Sequence, residues 1–105
     1  GGGTRAQALT YVNAIRTRAY GNANGNITDP QLTLSFILDE RARELFWEGV
    51  RRTDLIRFGR LTDVGVWQWK GGIQAGRTTE PFRNLFPLPA SELLANPNLK
   101  QNTGY

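Results

Sequence analysis

The sequence predicts an all-α chain: a pair of helices followed by a loop-rich C-terminal segment. Three observations predict it. Apolar residues recur at helical spacing through the first sixty positions. The two periodic stretches are separated by Asn22-Ala23-Asn24-Gly25-Asn26 and Asp29-Pro30, which are turn formers by composition. After Arg60 the helical period disappears: residues 61–84 carry glycines, two tryptophans and few aliphatic side chains.

The first helix is expected over residues 4–20. Thr4 can cap it, Leu9, Val12, Ile15 and Ala19 share one face, and Gly21 supplies the left-handed residue that ends a helix. Arg16 and Arg18 fall in its last turn, where the helix dipole favours cations. The second helix is expected over residues 33–48, with Leu34, Ile37, Leu38, Ala42 and Leu45 as its apolar face and Phe46 beside it. Asp39–Arg43 and Glu40–Arg43 are favourable pairs at helical spacing. A short third helix is expected over residues 51–58, closed by Gly59. The matching apolar faces and a connection of about a dozen residues predict that the first two helices pack antiparallel. Such a pair fits one unit of a helical repeat array.

Residues 61–84 read as loop with at most a short strand. Leu85-Phe86-Pro87-Leu88-Pro89 is extended, since its two prolines lack amide donors. Residues 91–95 can form one or two helical turns before Pro97, and the polar tail from Asn98 to Tyr105 is expected to lie along a surface. The chain has no Met and opens on Gly1-Gly2-Gly3, so it is expected to be a piece of a longer polypeptide.

Composition closes most routes to catalysis. Among 105 residues there is no His, Cys or Met. That excludes Ser-His-Asp and Cys-His nucleophiles, disulfides, zinc knuckles and iron–sulfur clusters, and it leaves haem only Tyr as an axial ligand. No apolar run approaches the ~20 residues of a membrane-spanning helix. A net charge of +4 invites a nucleic-acid reading, but eleven of the thirteen cations are Arg. Six of these (Arg41, Arg43, Arg51, Arg52, Arg57, Arg60) are interleaved with Asp39, Glu40, Glu44, Glu48 and Asp54. Interleaved signs mean an ion-paired face and not a phosphate track, so no nucleic-acid partner is expected.

Two constellations could carry chemistry. Glu40, Glu44 and Glu48 stack on one helical stripe, but di-metal helical sites pair Glu with His, which is absent. The arginines, with Arg41, Arg51 and Arg52 placed to intervene, make a structural network the better reading, so no catalytic residue, metal ligand or cofactor is expected. The second is Trp67-Gln68-Trp69-Lys70-Gly71-Gly72. If extended, it places both indoles on one side, where they could stack on pyranose rings or cover the core as a lid. Trp67 and Trp69 are thus the candidate ligand-binding residues, and burial is the blander alternative.

Three segments together resemble one family. Residues 37–49 (ILDERARELFWEG) and 51–59 (RRTDLIRFG) look like the LDERxRELxxEGxRxxDLxRxG signature of SusD/RagB proteins. Residues 85–93 (LFPLPASEL) and 96–105 (NPNLKQNTGY) are similar to that family's C-terminus, and residues 11–19 resemble the helix before the signature. Val50 stands where the family often has His, and Thr103 where Pro is usual. The resemblance implies a tetratricopeptide-like fold and the C-terminal portion, here residues 1–105, of a larger SusD-like protein. It also implies a non-enzymatic, glycan-binding outer-membrane lipoprotein on the cell surface, working with a SusC-like TonB-dependent transporter. The lipid anchor and most ligand-binding loops would lie upstream, in a part of the polypeptide that would be this segment's own partner. The Trp-x-Trp-Lys-Gly-Gly stretch looks closest to the starch-utilisation branch. The alternative is a helical protein–protein scaffold without sugar binding, and a carboxylate-only glycosidase built on the Glu40 stripe comes third.

Overall fold

A computed structural model describes residues 2–62 and 64–105. Among them are four α-helices and no strand: α1 (Arg5–Tyr20), α2 (Leu34–Glu44), α3 (Arg51–Arg57) and α4 (Ala90–Ala95). The all-α class holds. The chain divides into two compact units, residues 1–46 and 47–105.

In the first unit, α1 starts with a reciprocal cap. The Thr4 hydroxyl accepts from the Gln7 amide at 3.2 Å, while the Gln7 side chain accepts from the Thr4 amide at 3.0 Å. Such a cap satisfies two orphan donors of the first turn and contributes about 1 kcal/mol. The helix ends at Gly21, whose φ of 69° is the left-handed conformation expected of a C-terminal glycine. Leu9, Val12 and Ile15 are half-buried.

From there the chain turns back along α1. The Arg16 guanidinium donates to the Gly25 carbonyl, and the Thr17 hydroxyl to Asn26 Oδ1 at 3.0 Å. Asn13 grips Ile27 on both sides, accepting from its amide at 2.8 Å and donating to its carbonyl at 2.9 Å. Arg5 then meets Asp29 at 2.8 Å. Partner numbers on α1 fall as the connection advances, so residues 22–31 run antiparallel to the helix.

The direction of α2 follows. Its start, with Leu32, Thr33, Leu34 and Ile37, shares a hollow with Gly3, Thr4, Arg5 and Ala8 at the start of α1. Its later residues Glu40 and Glu44 meet Arg16 and Arg18 near the end of α1. Along both helices partner numbers rise together, so α1 and α2 run in the same direction. This overturns the expected antiparallel pairing. A hairpin of helices requires that the connection merely reverse the chain, whereas here side chains of α1 pin the connection along the helix and return it to the starting end.

The helix α2 also stops earlier than the expected Glu48. Thr33 caps it, accepting from the Phe36 amide at 3.0 Å, and Leu45 donates the last helical bond to Arg41 at 2.9 Å. Two residues later Trp47 takes φ 67°, which no helix can contain. Glu48 therefore leaves the stripe. Leu38, Leu32 and Ile27 form the buried centre of this unit. Leu34 and Phe46, expected on the apolar face, are 72% and 74% exposed. Phe36 is half-buried instead, with the Arg16 and Arg43 guanidinium groups 5.5 and 5.6 Å from its ring centre.

The second unit has little regular structure. The short α3 buries Leu55 and Asp54, and its end is closed by the Arg60 amide donating to the Leu55 carbonyl at 2.7 Å. Arg52 stacks over Phe86 at 3.9 Å and donates to the Arg83 carbonyl, tying α3 to the segment before α4. The tail lies along that same segment. Gln101 holds Leu88 from both sides, at 2.8 Å from its amide and 3.0 Å to its carbonyl. Asn102 donates to the Phe86 carbonyl at 2.7 Å, and the Tyr105 hydroxyl to the Leu85 carbonyl at 2.8 Å. The Tyr105 ring meets Phe82 edge-on, 4.9 Å between centres.

Candidate functional site

The Trp67–Trp69 segment folds as a pinched loop and not as a strand. Its neck is an isolated antiparallel bridge in which Trp67 donates to Arg77 at 3.0 Å and accepts from it at 3.1 Å. Inside the neck the chain turns tightly: the Lys70 amide donates to the Trp67 carbonyl at 3.2 Å, Gly72 to Trp69 at 3.0 Å, and Gly76 to Ile73 at 2.9 Å. The neck needs a glycine at position 76, where φ is 86° and a Cβ would stand 2.6 Å from the Trp67 carbonyl oxygen.

The alternation that would place both indoles on one side fails at Trp69, whose φ is 63°. A left-handed backbone costs a non-glycine residue about 1–2 kcal/mol. It also rotates this side chain away from the direction an extended strand would give. The two tryptophans consequently have different surroundings. Trp67 is half-buried, and its indole N–H donates to the Leu61 carbonyl at 3.4 Å. Trp69 is 65% exposed.

The cations of the loop are drawn toward its own body. Lys70 donates its ammonium to the hydroxyl of buried Thr79. The Arg77 side chain passes over Gly71, its Cδ and Nη1 both 3.4 Å from where a Cβ would stand. Sequence reasoning did not single out Arg77, and a partner ten residues away in an irregular loop leaves no periodic signal to find.

The acidic stripe resolves into an ion-pair ladder in the first unit. Glu40 Oε2 sits 2.7 Å from Arg16 and 2.6 Å from Arg43, and Glu44 pairs with Arg18. The Glu40–Arg43 pair is the one expected from helical spacing, and Arg16 and Arg18 of α1 join the stripe beside it. The reason is that α2 runs beside α1 in the same sense, which brings the arginines of the last turn of α1 to the acidic face. Arg16 and Glu40 each keep only 13% of their side-chain surface exposed. Arg16 also lies 5.3 Å from the Tyr20 ring centre. A groove of about 260 Å³ runs beside this ladder, lined by Val12, Ile15, Ile37 and Leu45 together with Glu40 and Glu44. Among the described residues no group of three or more acidic side chains is placed to hold a metal ion. No described helix is long and apolar enough to cross a membrane.

Comparison with known proteins bears on the whole chain. The SusD family model matches residues 1–105. The chain is 36% identical to the starch-binding protein SusD of Bacteroides thetaiotaomicron, over 97% of its own length and 19% of that protein. It is 36% identical to SusD-like protein P25 of Formosa agariphila, over 95% of this chain and 20% of the relative. SusD-like protein P38 of the same organism is 35% identical over 98% of this chain and 20% of its own length. The chain thus spans about a fifth of the length of the curated relatives that it matches. The signature in α2 and α3, the C-terminal motif and the family match agree: this chain belongs to the SusD/RagB family.

Proposed function

We propose that this chain is the C-terminal part of a nutrient-binding lipoprotein exposed at the bacterial outer membrane. The whole polypeptide binds an oligo- or polysaccharide without chemical change and passes it to a SusC-like TonB-dependent transporter. The observation that carries this reading is the 36% identity to a starch-binding protein across 97% of the chain. The ion-pair ladder supports the non-enzymatic reading: Glu40 and Glu44 line a groove, but each is engaged by arginine, Glu40 by Arg16 and Arg43 and Glu44 by Arg18, which suits a structural role. The contribution of the signature residues is then architectural, fixing the course of α2 against α1.

The test uses the intact polypeptide that carries this chain. Retention on immobilised neutral polysaccharide, no release of shortened sugar, and co-purification with a TonB-dependent transporter are the expected results. Failure to retain any glycan while a protein partner co-purifies would favour the protein–protein scaffold. Release of reducing ends would overturn the non-enzymatic reading.

A further inference from the structure

We infer that Trp69 is the residue of this chain that contacts sugar, as a single ring stacking on the apolar face of a neutral pyranose, and that Trp67 only supports it. The inference rests on the glycan-binding reading above and deepens it. Four observations converge on Trp69. Trp69 is 65% exposed although Trp is highly buried on average. Its backbone adopts φ 63°, a conformation that L side chains avoid and that glycine would adopt freely.

The third observation is clearance. Two residues on, Gly71 and Gly72 both take positive φ, and nothing lies within 4 Å of the position a Gly72 Cβ would occupy. Gly71 is covered by the Arg77 side chain, but the chain just after Trp69 opens to free space at Gly72. The fourth is charge. Lys70 is tied to Thr79 and Arg77 lies over Gly71, so the cations of the loop serve its own architecture. The exposed neighbours Gln68 and Gln74 are neutral amides that can donate to and accept from hydroxyls. An exposed aromatic face with neutral amides nearby in the loop suits a sugar. The Trp67–Arg77 neck holds the loop in shape before ligand arrives, so little ordering opposes binding.

The experiment compares the intact polypeptide with W69A, W69F and W69G by affinity electrophoresis in soluble starch, and in neutral xylan and β-glucan as further probes. Thermal unfolding is measured alongside. W69A and W69G should weaken retention by about tenfold, while W69F keeps most of it. W69G should melt no lower than the unmodified protein, because glycine relieves the left-handed backbone. That combination separates a ligand contact from a packing role. Binding by W69A within about twofold of a retained unmodified protein would overturn the inference and leave the glycan reading intact. So would a lowered melting temperature in W69G, which would show the indole packed against another part of the polypeptide. If the unmodified protein is retained by none of the polysaccharides, the glycan reading itself falls, and this inference with it.

Discussion

The two units of the chain use the same device with unequal stakes. In the first, Asn13 grips the backbone of Ile27 through both its amide groups; in the second, Gln101 does the same to Leu88. In each case a side-chain amide stands in for the neighbouring strand that the segment lacks. The difference is burial. Ile27 is 8% exposed, at the centre of its unit, whereas Leu88 is only half-buried. A polar group left unpaired in the interior loses its partner and cannot recover water, while one near the surface can. Where a contact sits, more than how many bonds it makes, decides how much it stabilises.

The same contrast extends to the charged contacts. The Arg16–Glu40 pair in the first unit is largely buried, and it sits within a network that includes Arg43, two aromatic rings and the Gly25 carbonyl. In the second unit Arg52 binds a carbonyl and a phenyl ring that is itself 70% exposed. The second unit has interior polarity of its own in Asp54, Thr62 and Thr79, and what it adds is a tail strapped to an extended segment.

The largest effect is expected from isolating the chain. Buried large apolar side chains among the described residues are limited to Ile27, Leu32, Leu38 and Leu55, while Tyr11, Leu34, Trp47 and Leu94 are among the many left exposed. Such a surface suits docking against more polypeptide. Residues 1–105 alone should unfold without a sharp cooperative transition or should self-associate, as read by circular dichroism with light scattering. A monodisperse monomer melting cooperatively above ~60 °C, near the top of the usual mesophile range, would contradict this.

Next in size is Glu40→Ala in the intact polypeptide. It leaves the Arg16 guanidinium, 13% exposed, without its carboxylate, and removal of one partner of a buried pair costs about 3 kcal/mol. Urea unfolding reads this directly. Glu44→Ala should cost well under about 1 kcal/mol by comparison, because its partner Arg18 is 68% exposed and solvated. Equal losses would mean that the ladder is not divided into a buried and a surface rung.

Much of this architecture was legible in the sequence, and the misses share a cause. The ends of α1, the start of α2, and α3 were read from caps, glycines and apolar spacing, which are local signals. The sense of α2 was not, because it depends on where residues 22–31 travel. That path is set by Asn13, Arg16 and Thr17 meeting partners nine to fourteen positions away. A polar Asn13 beside the apolar Val12 was the one available hint, since half-buried amides seek backbone partners. The stop after Glu44 was hidden in the same way. Phe46 and Trp47 continue the apolar period, yet Trp47 takes the left-handed conformation that the sequence reserves for Gly49. In the candidate site, the motif containing both tryptophans was visible but their different surroundings were not. Alternation assumes an extended strand, and the turn through Gly71 and Gly72 removes that assumption at Trp69.

The comparison between the two amide clamps is sharpened by substituting both. Asn13→Ala removes two bonds to a buried residue and leaves the Ile27 amide and carbonyl without partners, so it should cost about 2–3 kcal/mol. Gln101→Ala removes bonds of similar length from Leu88, but the freed groups lie near the surface, where water can replace the lost amide, and about 1 kcal/mol is expected. The tail should also fray in Gln101→Ala, since its remaining ties to this segment are Asn102 at the Phe86 carbonyl and Tyr105 at the Leu85 carbonyl and the Phe82 ring. Hydrogen exchange would show this as faster exchange at the Leu88 amide with little change at Ile27. In Asn13→Ala the pattern should reverse, and it should spread through α2, because the return path that sets the direction of α2 is held at Ile27. If the Gln101 substitution proved as costly as the Asn13 one, burial would not be what ranks the two clamps. The Gln101 strap would then carry as much of the stability as the Asn13 clamp does.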